Sequence, residues 1–388
     1  MKNRILYISY NGMNEALGAS QVLSYLYKLS ADYEYHLVSL EKPEDFSDKE
    51  KMADLDKELK SKNIFWYPVA YKTDKVGKLF NFFRLLLETR SVARQYRIKY
   101  AHCRSYFPAM VAYLLGLSYL FDTRGFAFDE RADVGSVKRG SLVFKIFKRI
   151  EKLLYKHAAG VNKLSHEGKR TIENNELFEG GDKIAPITVI PTCVDLNRFH
   201  FIEREYTDPV KIGYVGTAVG WYDFDKTLLA LQAIGKQVDY HFTIFNGGQH
   251  EFIKDRLQVF GIPDEKVHLE KVSFADMPRR LAEFEVALFY IHPFFSKRAS
   301  AATKLGELFA SGIPVLTNGN VGDHEYYIEA YGTGRILDFD RLEEYDFVNI
   351  MGSLRNRDTA IKCRTLAEKY FSVDKGVEDY KRLYTQIF

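Results

Sequence analysis

The sequence predicts an α/β protein built from two successive domains, each a parallel sheet covered by helices on both faces. Three observations predict it. Short apolar runs alternate with stretches of helical period along most of the chain. The alternation lapses over residues 197–209, where Arg198, Glu203, Arg204, Glu205 and Asp208 crowd together, and then restarts. The length, 388 residues, suits two domains.

Taken in order, the first half shows strands at 4–10, 35–40, 64–68, 100–103, 119–122, 160–164 and 188–191, each a short run rich in branched or aromatic residues. Between them, helices are expected at 20–30, 50–60, 78–96, 109–116, 142–157 and 167–175. The first run, Arg-Ile-Leu-Tyr-Ile-Ser-Tyr, lacks the apolar core of a signal peptide and reads as a buried strand. Residues 105–121 carry no charge, but Pro108 and Gly116 interrupt them and they fall short of the ~20 residues that span a membrane. The second half repeats the pattern. Strands are expected at 210–216, 241–245, 267–270, 286–290 and 314–317, and helices at 224–234, 249–260, 277–284 and 303–311. Residues 358–388 read as helices, with Tyr370, Phe371, Val377, Tyr380, Leu383 and Tyr384 as apolar positions. The domains are therefore placed at 1–196 and 210–370, with 197–209 as linker and a last helix, 371–388, packing back on the first domain.

Composition excludes several classes. Apolar residues at 46% and charged residues at 28% exclude a disordered chain, a collagen and a disulfide-stapled miniprotein. The formal charge, 55 − 52 = +3, excludes a broad basic surface for nucleic acid. Cys103, Cys193 and Cys363 lie far apart with no C-x-x-C, so neither a zinc site nor a disulfide framework is indicated, which fits a reducing cytosol. Aromatics reach 15%, and exposed rings suit sugar faces or lipid headgroups.

Open parallel sheets bind ligands beyond the carboxyl ends of their strands, so chemistry is sought in the loops there. The strongest segment runs from Ser300 to Leu316. Small residues lead into a helix beginning near Ala302 or Thr303, Gly312 ends it, and Pro314 opens a strand. Unpaired N–H groups and the dipole at such a helix start favour a phosphate. Lys304 adds a charge, and Glu307 shares its face at i+3, where a carboxylate can accept from both hydroxyls of a ribose. The alternative is Ser300 as an N-cap with Lys304 and Glu307 as a solvated ion pair.

The pattern Lys304-x-x-Glu307-x-x-Ala310-x-Gly312-x-Pro314-Val315 resembles the nucleotide-sugar signature of the retaining glycosyltransferases of family 4. Gly18-Ala-Ser-Gln21 resembles that family's first loop, which closes on the donor diphosphate. The run from Ile190 to Phe199 resembles its interdomain segment, and Tyr214-Val-Gly216 its donor-domain strand. The resemblance covers essentially the whole chain. It implies the GT-B fold: two Rossmann-like domains with a facing cleft and a C-terminal crossover helix. Three departures stand out. Ala299 occupies the place of a second glutamate, only Lys226 is basic in the stretch after Gly216, and Arg124 stands where many relatives have histidine.

Donor contacts are expected from Gly18, Gln21, Gly216, Thr217, Ser300, Thr303, Lys304 and Glu307, and from Asn246 and Gly247, where the glycines after a strand permit close approach to a base or phosphate and a plain loop is the alternative. Phosphate neutralisation would rest on Lys304, with Lys297 or Arg298 nearby. Catalytic roles are expected for Asp122, Arg124 and Lys304, and acceptor contacts for His102, Arg104, Asp129 and Arg131. The alternatives are a structural salt-bridge network around 122–131 and a merely packed His102. The pairs Asp223/Asp225 and Asp338/Asp340 resemble metal-binding Asp-x-Asp, but the first sits at a helix start where N-capping explains it. No metal or cofactor is expected.

Residues 142–156 are basic and amphipathic, and 78–94 similar but more apolar. Each is a core-packed helix with a solvated face or a surface for anionic lipid. The resulting expectation is a cytoplasmic hexosyltransferase (EC 2.4) of surface-polysaccharide synthesis, at the inner face of the membrane. It moves sugar from a nucleotide-diphosphate donor to a lipid-linked glycan. A non-catalytic nucleotide-sugar-binding subunit and a nucleotide-sugar epimerase of the same fold are the alternatives.

Overall fold

The computed structural model describes residues 3–178 and 183–388, and the side chains of Ala16, Lys75, Val76, Lys78 and Leu79 lie outside the described residues. The first sheet contains β1 (Asn3–Ser9), β2 (Tyr33–Glu41), β3 (Ile64–Ala70), β4 (Tyr100–Arg104), β5 (Ser118–Asp122), β6 (Gly160–Lys163) and β7 (Ile187–Val189). Its order is β3-β2-β1-β4-β5-β6-β7, and every pairing is parallel. The second contains β8 (Val210–Val215), β9 (Tyr240–Phe245), β10 (Val267–Glu270), β11 (Val286–Leu288), β12 (Val315–Thr317) and β13 (Gly334–Ile336). Its order is β10-β9-β8-β11-β12-β13, again all parallel. Helices return the chain between neighbouring strands, so central strands are buried on both faces. Ile5 to Ser9 and Leu37 to Glu41 show this as unbroken buried runs.

The order of each sheet reverses once, between β1 and β4 and between β8 and β11. Doubly wound sheets take ligands at such a switch point. In the first sheet the register sets Tyr7 beside His102, Ser9 beside Arg104, and Arg104 beside Asp122. Two cationic or anionic side chains thus leave neighbouring strands at the carboxyl edge.

The chain forms two compact units, Met1–Pro191 with Val373–Phe388, and Thr192–Ser372. The charged stretch 197–209 folds within the second unit. Phe199 and Val210 are buried in its core, and the Arg204 guanidinium donates to the carbonyls of Ser311 (2.8 Å) and Ile202 (2.9 Å). Arg204 thus serves packing, while Arg198 is half-buried and Glu203, Glu205 and Asp208 are exposed. The last helix, Val373–Ile387, belongs to the first unit. Its Tyr384 hydroxyl lies 2.6 Å from His102 Nδ1, and Asn162 Nδ2 donates to its Tyr380 hydroxyl at 3.3 Å. At the junction, the Val194 N–H donates to the Phe371 carbonyl at 2.6 Å, and Val194 and Ser372 form a parallel bridge.

Candidate functional site

In the first unit, a polar cluster collects at the carboxyl ends of β1, β4 and β5. Gln21 lies on a π-helical turn, Ala19–Leu23, a distortion frequent at functional sites. Its side-chain oxygen accepts from both Arg104 (3.0 Å) and Arg124 (2.7 Å). Arg104 also donates to Asn11 Oδ1 at 3.2 Å. Asp122 Oδ2 lies 3.6 Å from Arg124 and 3.7 Å from His102 Nε2, while its Oδ1 accepts from Asn162 at 3.0 Å. Burial opposes ionisation of Asp122, but Arg124, His102 and Arg104 outweigh it and hold the carboxyl well below the usual range. Ser105 (φ +79°) and Arg124 (φ +58°) both occupy the left-handed region just past their strands. Backbone strain of this kind gathers where function over-determines a loop.

Gly18 is buried against the 12–13 backbone, where a Cβ would meet the Gly12 carbonyl oxygen at 2.1 Å. That close approach fixes the turn leading to Gln21. His102 is buried between Tyr7, Tyr380 and Tyr384, with ring centroids 4.5 Å from Tyr7, and burial lowers its pKa. It packs and positions rather than meeting solvent. Asp129 is buried between Arg139 (2.8 Å) and Lys148 (2.8 Å), and Lys148 continues to Glu151. The structural network is therefore the observed state of Asp129, away from an open acceptor surface. Arg131 is exposed, with its guanidinium over the Phe147 ring.

In the second unit, the site forms at the start of helix Thr303–Ala310, on the β8–β11 switch point. Lys304 is buried, and its ammonium has no hydrogen-bond partner among the described residues. It lies 3.7 Å from the Tyr222 ring centroid and about 5 Å from those of Tyr214 and Phe289, at 5.0 and 5.1 Å. Gly216 stands directly over it. Its φ is +112°, and a Cβ there would sit 3.0 Å from Lys304 Nζ. The backbone conformation favours glycine here, and the space beside the ammonium is tight. Burial moves the Lys304 pKa down from 10.5 to about 7, although Glu307 pulls it up. Burial moves Glu307 up from 4.5 to about 7, against Arg198 and Lys304. The solvated ion pair is thus excluded: Lys304 is buried, Glu307 is half-buried, and the ammonium has no hydrogen bond among the described residues.

The helix has Ala302 as its N-cap residue, with no side-chain cap, so Ser300 does not cap it. Ser300 and Thr303 are half-buried beside the opening turn, and Thr217 and Gly247 are exposed. Asn246 is buried and fully occupied. It donates to the Gly216 carbonyl (2.8 Å) and Gln249 (3.0 Å) and accepts from the N–H groups of Gly248 and Gln249. Gln249 in turn accepts from the Ala218 N–H at 2.8 Å. Asn246 therefore ties the two glycine loops together and positions them. Lys297 lies over the Trp221 ring at 3.4 Å, and Arg298 over Phe295 at 5.4 Å. Asp223 caps helix Phe224–Gly235 through the Lys226 N–H, and Asp225 pairs with Arg256. Among the described residues no group of three or more His, Cys, Asp or Glu could hold a metal ion.

The residues missed from sequence are Tyr7, Asn11, Asn162, Arg198 and Tyr222. Each reaches its site from a distant segment, and no local spacing marks it. Tyr380 and Tyr384 carried one signal, their i, i+4 apolar spacing on the last helix.

No protein-family model matches the chain, and no curated protein matches its sequence. Solved structures do match over its full length. A sucrose-phosphate synthase from Thermosynechococcus elongatus is similar at a TM-score of 0.70 and 13% identity, covering 100% of this chain and 99% of that one. A glycosyltransferase from Rickettsia africae gives 0.67 and 15%, covering 100% and 98%. The lipopolysaccharide outer core galactosyltransferase WaaB gives 0.65 and 11%, covering 99% of each. At these identities the likeness is one of fold. The two parallel sheets, with the last helix returned to the first unit, give this chain the GT-B fold of two Rossmann-like domains.

Proposed function

We propose that the protein is a retaining glycosyltransferase similar to family 4, acting on a nucleotide-diphosphate sugar and a lipid-linked glycan of surface-polysaccharide synthesis. One observation carries this reading: the orphan ammonium of Lys304, buried under Gly216 at a helix start and one turn before Glu307. A buried cation with no acceptor is costly unless an anion completes it. A diphosphate placed at the uncapped helix start supplies that anion.

In the reaction, the bond between the anomeric carbon and the diphosphate oxygen breaks, and negative charge grows on the leaving diphosphate. Lys304 and the N–H groups of Thr303 and its successors stabilise that charge as it develops, the task a metal performs elsewhere. Glu307 accepts from the ribose hydroxyls. The acceptor hydroxyl attacks the anomeric carbon from the face the diphosphate leaves, and its proton passes to a departing phosphate oxygen. Arg104, Arg124 and Gln21 hold polar groups of the substrates, and Asp122 positions Arg124. The second unit binds the donor and the first the acceptor, at the cytoplasmic face of the membrane.

The test incubates the protein with UDP-, GDP-, ADP- and dTDP-sugars and measures nucleotide release. The anomeric configuration of the product is read by NMR. Release from one donor class, lost in Lys304→Met, is expected. No release from any donor, together with no nucleotide binding, overturns the reading. A sugar epimerised without nucleotide release assigns the epimerase instead.

A further inference from the structure

The first unit holds a cavity that the transfer chemistry does not use. It has a volume of about 490 Å³ and lies between helix Leu142–His157 and residues 176–178. Lys145, Lys148, Arg149 and Lys152 line it, with Glu176 as the one carboxylate among its described lining residues and Phe178 as part of its apolar wall; Lys152 and Glu176 each have a partner of their own. Lys148 is committed to Asp129 and Glu151. Lys145 and Arg149 are exposed and form no ion pair among the described residues. Lys145 and Arg149 thus bring two cations to the cavity that no ion pair among the described residues neutralises, and such an excess favours an anionic ligand.

The same helix says what kind of anion. Leu142 is 73% exposed, and Val143, Ile146 and Leu153 are exposed as well. At 100° per residue, Leu142, Ile146 and Leu153 fall within about 40° of one another, and Arg149 flanks them directly. A free anion or a nucleic acid gains nothing from this apolar stripe. A phospholipid supplies a phosphate for the cations and acyl chains for the stripe.

The stripe does not stand alone. Helix Tyr106–Leu114 packs between helices Lys75–Gln95 and Leu142–His157. Lys75–Gln95 exposes Phe80, Phe83 and Leu87 at i, i+3 and i+7. Both outer helices begin after strand carboxyl ends and run back toward the amino edge. Their early apolar residues, Phe80, Phe83, Leu142, Val143 and Ile146, therefore lie toward the edge where Arg104 and Arg124 leave β4 and β5.

We propose that this cavity is a headgroup site for an anionic phospholipid, seated while the neighbouring apolar side chains enter the leaflet. The proposal deepens the transferase reading, resting on it only for the lipid-linked acceptor that such docking would serve.

The test is vesicle flotation of the intact protein with phosphatidylcholine alone and with phosphatidylcholine containing phosphatidylglycerol. Wild type is expected to float only with the anionic vesicles. Lys145→Gln/Arg149→Gln lowers the vesicle partition coefficient roughly 30-fold. Leu142→Ser/Ile146→Ser weakens it as well. Nucleotide-induced thermal shifts stay at wild-type size in both variants, which shows the fold intact and keeps the donor reading separately measurable. Failure of wild type to bind anionic vesicles overturns the proposal, as does wild-type binding by the charge variant. Loss in the charge variant with full binding by the apolar variant overturns a seated phospholipid, leaving adsorption to the charged vesicle surface alone.

Discussion

Lys304→Met separates stability from ligand binding in opposite directions. Folding moves the lysine from 10.5 to about 7 by burial. An ammonium disfavoured by folding costs stability wherever the unfolded chain is still protonated. The cost is full below pH 7, shrinks as pH rises toward 10.5, and is absent above it. At pH 7 it is on the order of 4 kcal/mol, from roughly three pKa units at 1.36 kcal/mol each. Methionine keeps the apolar stem beside Tyr214, Tyr222 and Phe289 and removes the charge. The nucleotide-free variant should therefore be more stable than wild type at pH 7, by at least about 1 kcal/mol after packing losses. Nucleotide binding should move the other way. A charge-assisted hydrogen bond contributes about 1.5–3 kcal/mol, so loss of the ammonium weakens diphosphate affinity roughly 10- to 100-fold. Ligand at 100 times the wild-type dissociation constant adds about 2.7 kcal/mol to wild type and only about 1 kcal/mol to a variant weakened 30-fold. Thermal shift with and without nucleoside diphosphate reads both effects at once. Wild-type affinity should also fall by up to about tenfold per pH unit above pH 7, because binding must then recover a proton, while the variant stays flat. A destabilised free variant with an undiminished nucleotide shift would refute the assignment of an uncompensated charge awaiting an anion.

Two further outcomes follow from the same geometry. Glu307→Ala should reduce the shift given by nucleoside diphosphates but not that given by pyrophosphate, since its carboxylate is assigned to the ribose; equal losses with both ligands would remove that role. Because burial raises Glu307 to about 7, wild-type stability should decline from pH 4.5 to 7 through this group, and urea titrations of the variant should lack that part of the decline. Asp122→Asn should cost about 3–5 kcal/mol in urea unfolding, because it strips Arg124 of its buried carboxylate. It should also flatten the loss of wild-type stability on acidification below the unfolded carboxyl value, since the folded value is depressed. A cost under about 1 kcal/mol would show that Arg124 is balanced without Asp122.

Local pattern carried the fold further than it carried the site. Strands such as β1 and β2 are buried on both faces and announce themselves as apolar runs. Strand β13 is Gly-Arg-Ile, three residues at a sheet edge with Arg335 exposed, too short to show a period. Residues 20–30 read as one helix, yet the chain inserts a π turn at Ala19–Leu23, which no periodicity distinguishes from a continuous helix. At the second unit's site, Lys304 and Glu307 were legible because both lie on one helix turn. The ring of Tyr222 under the ammonium and Arg198 near the carboxylate were not, since tertiary folding alone brings them there. Asn246 was legible as a residue beside glycines, but its task of lacing two loops together appears only with the contacts.

The return of Val373–Ile387 to the first unit sets the order in which the protein can be finished during synthesis. Domains usually mature in the order they emerge. Here Tyr380 and Tyr384 must reach Asn162 and His102 before the first unit is complete. Those tyrosines leave the ribosome only after the whole second unit. The second unit, by contrast, has its two ends side by side at the Val194–Ser372 bridge and needs nothing beyond Ser372. It is an insertion that can close while its host is still open, so the unit begun first is completed last. A stop between Ser372 and Tyr380 would strike the unit whose strands are encoded first.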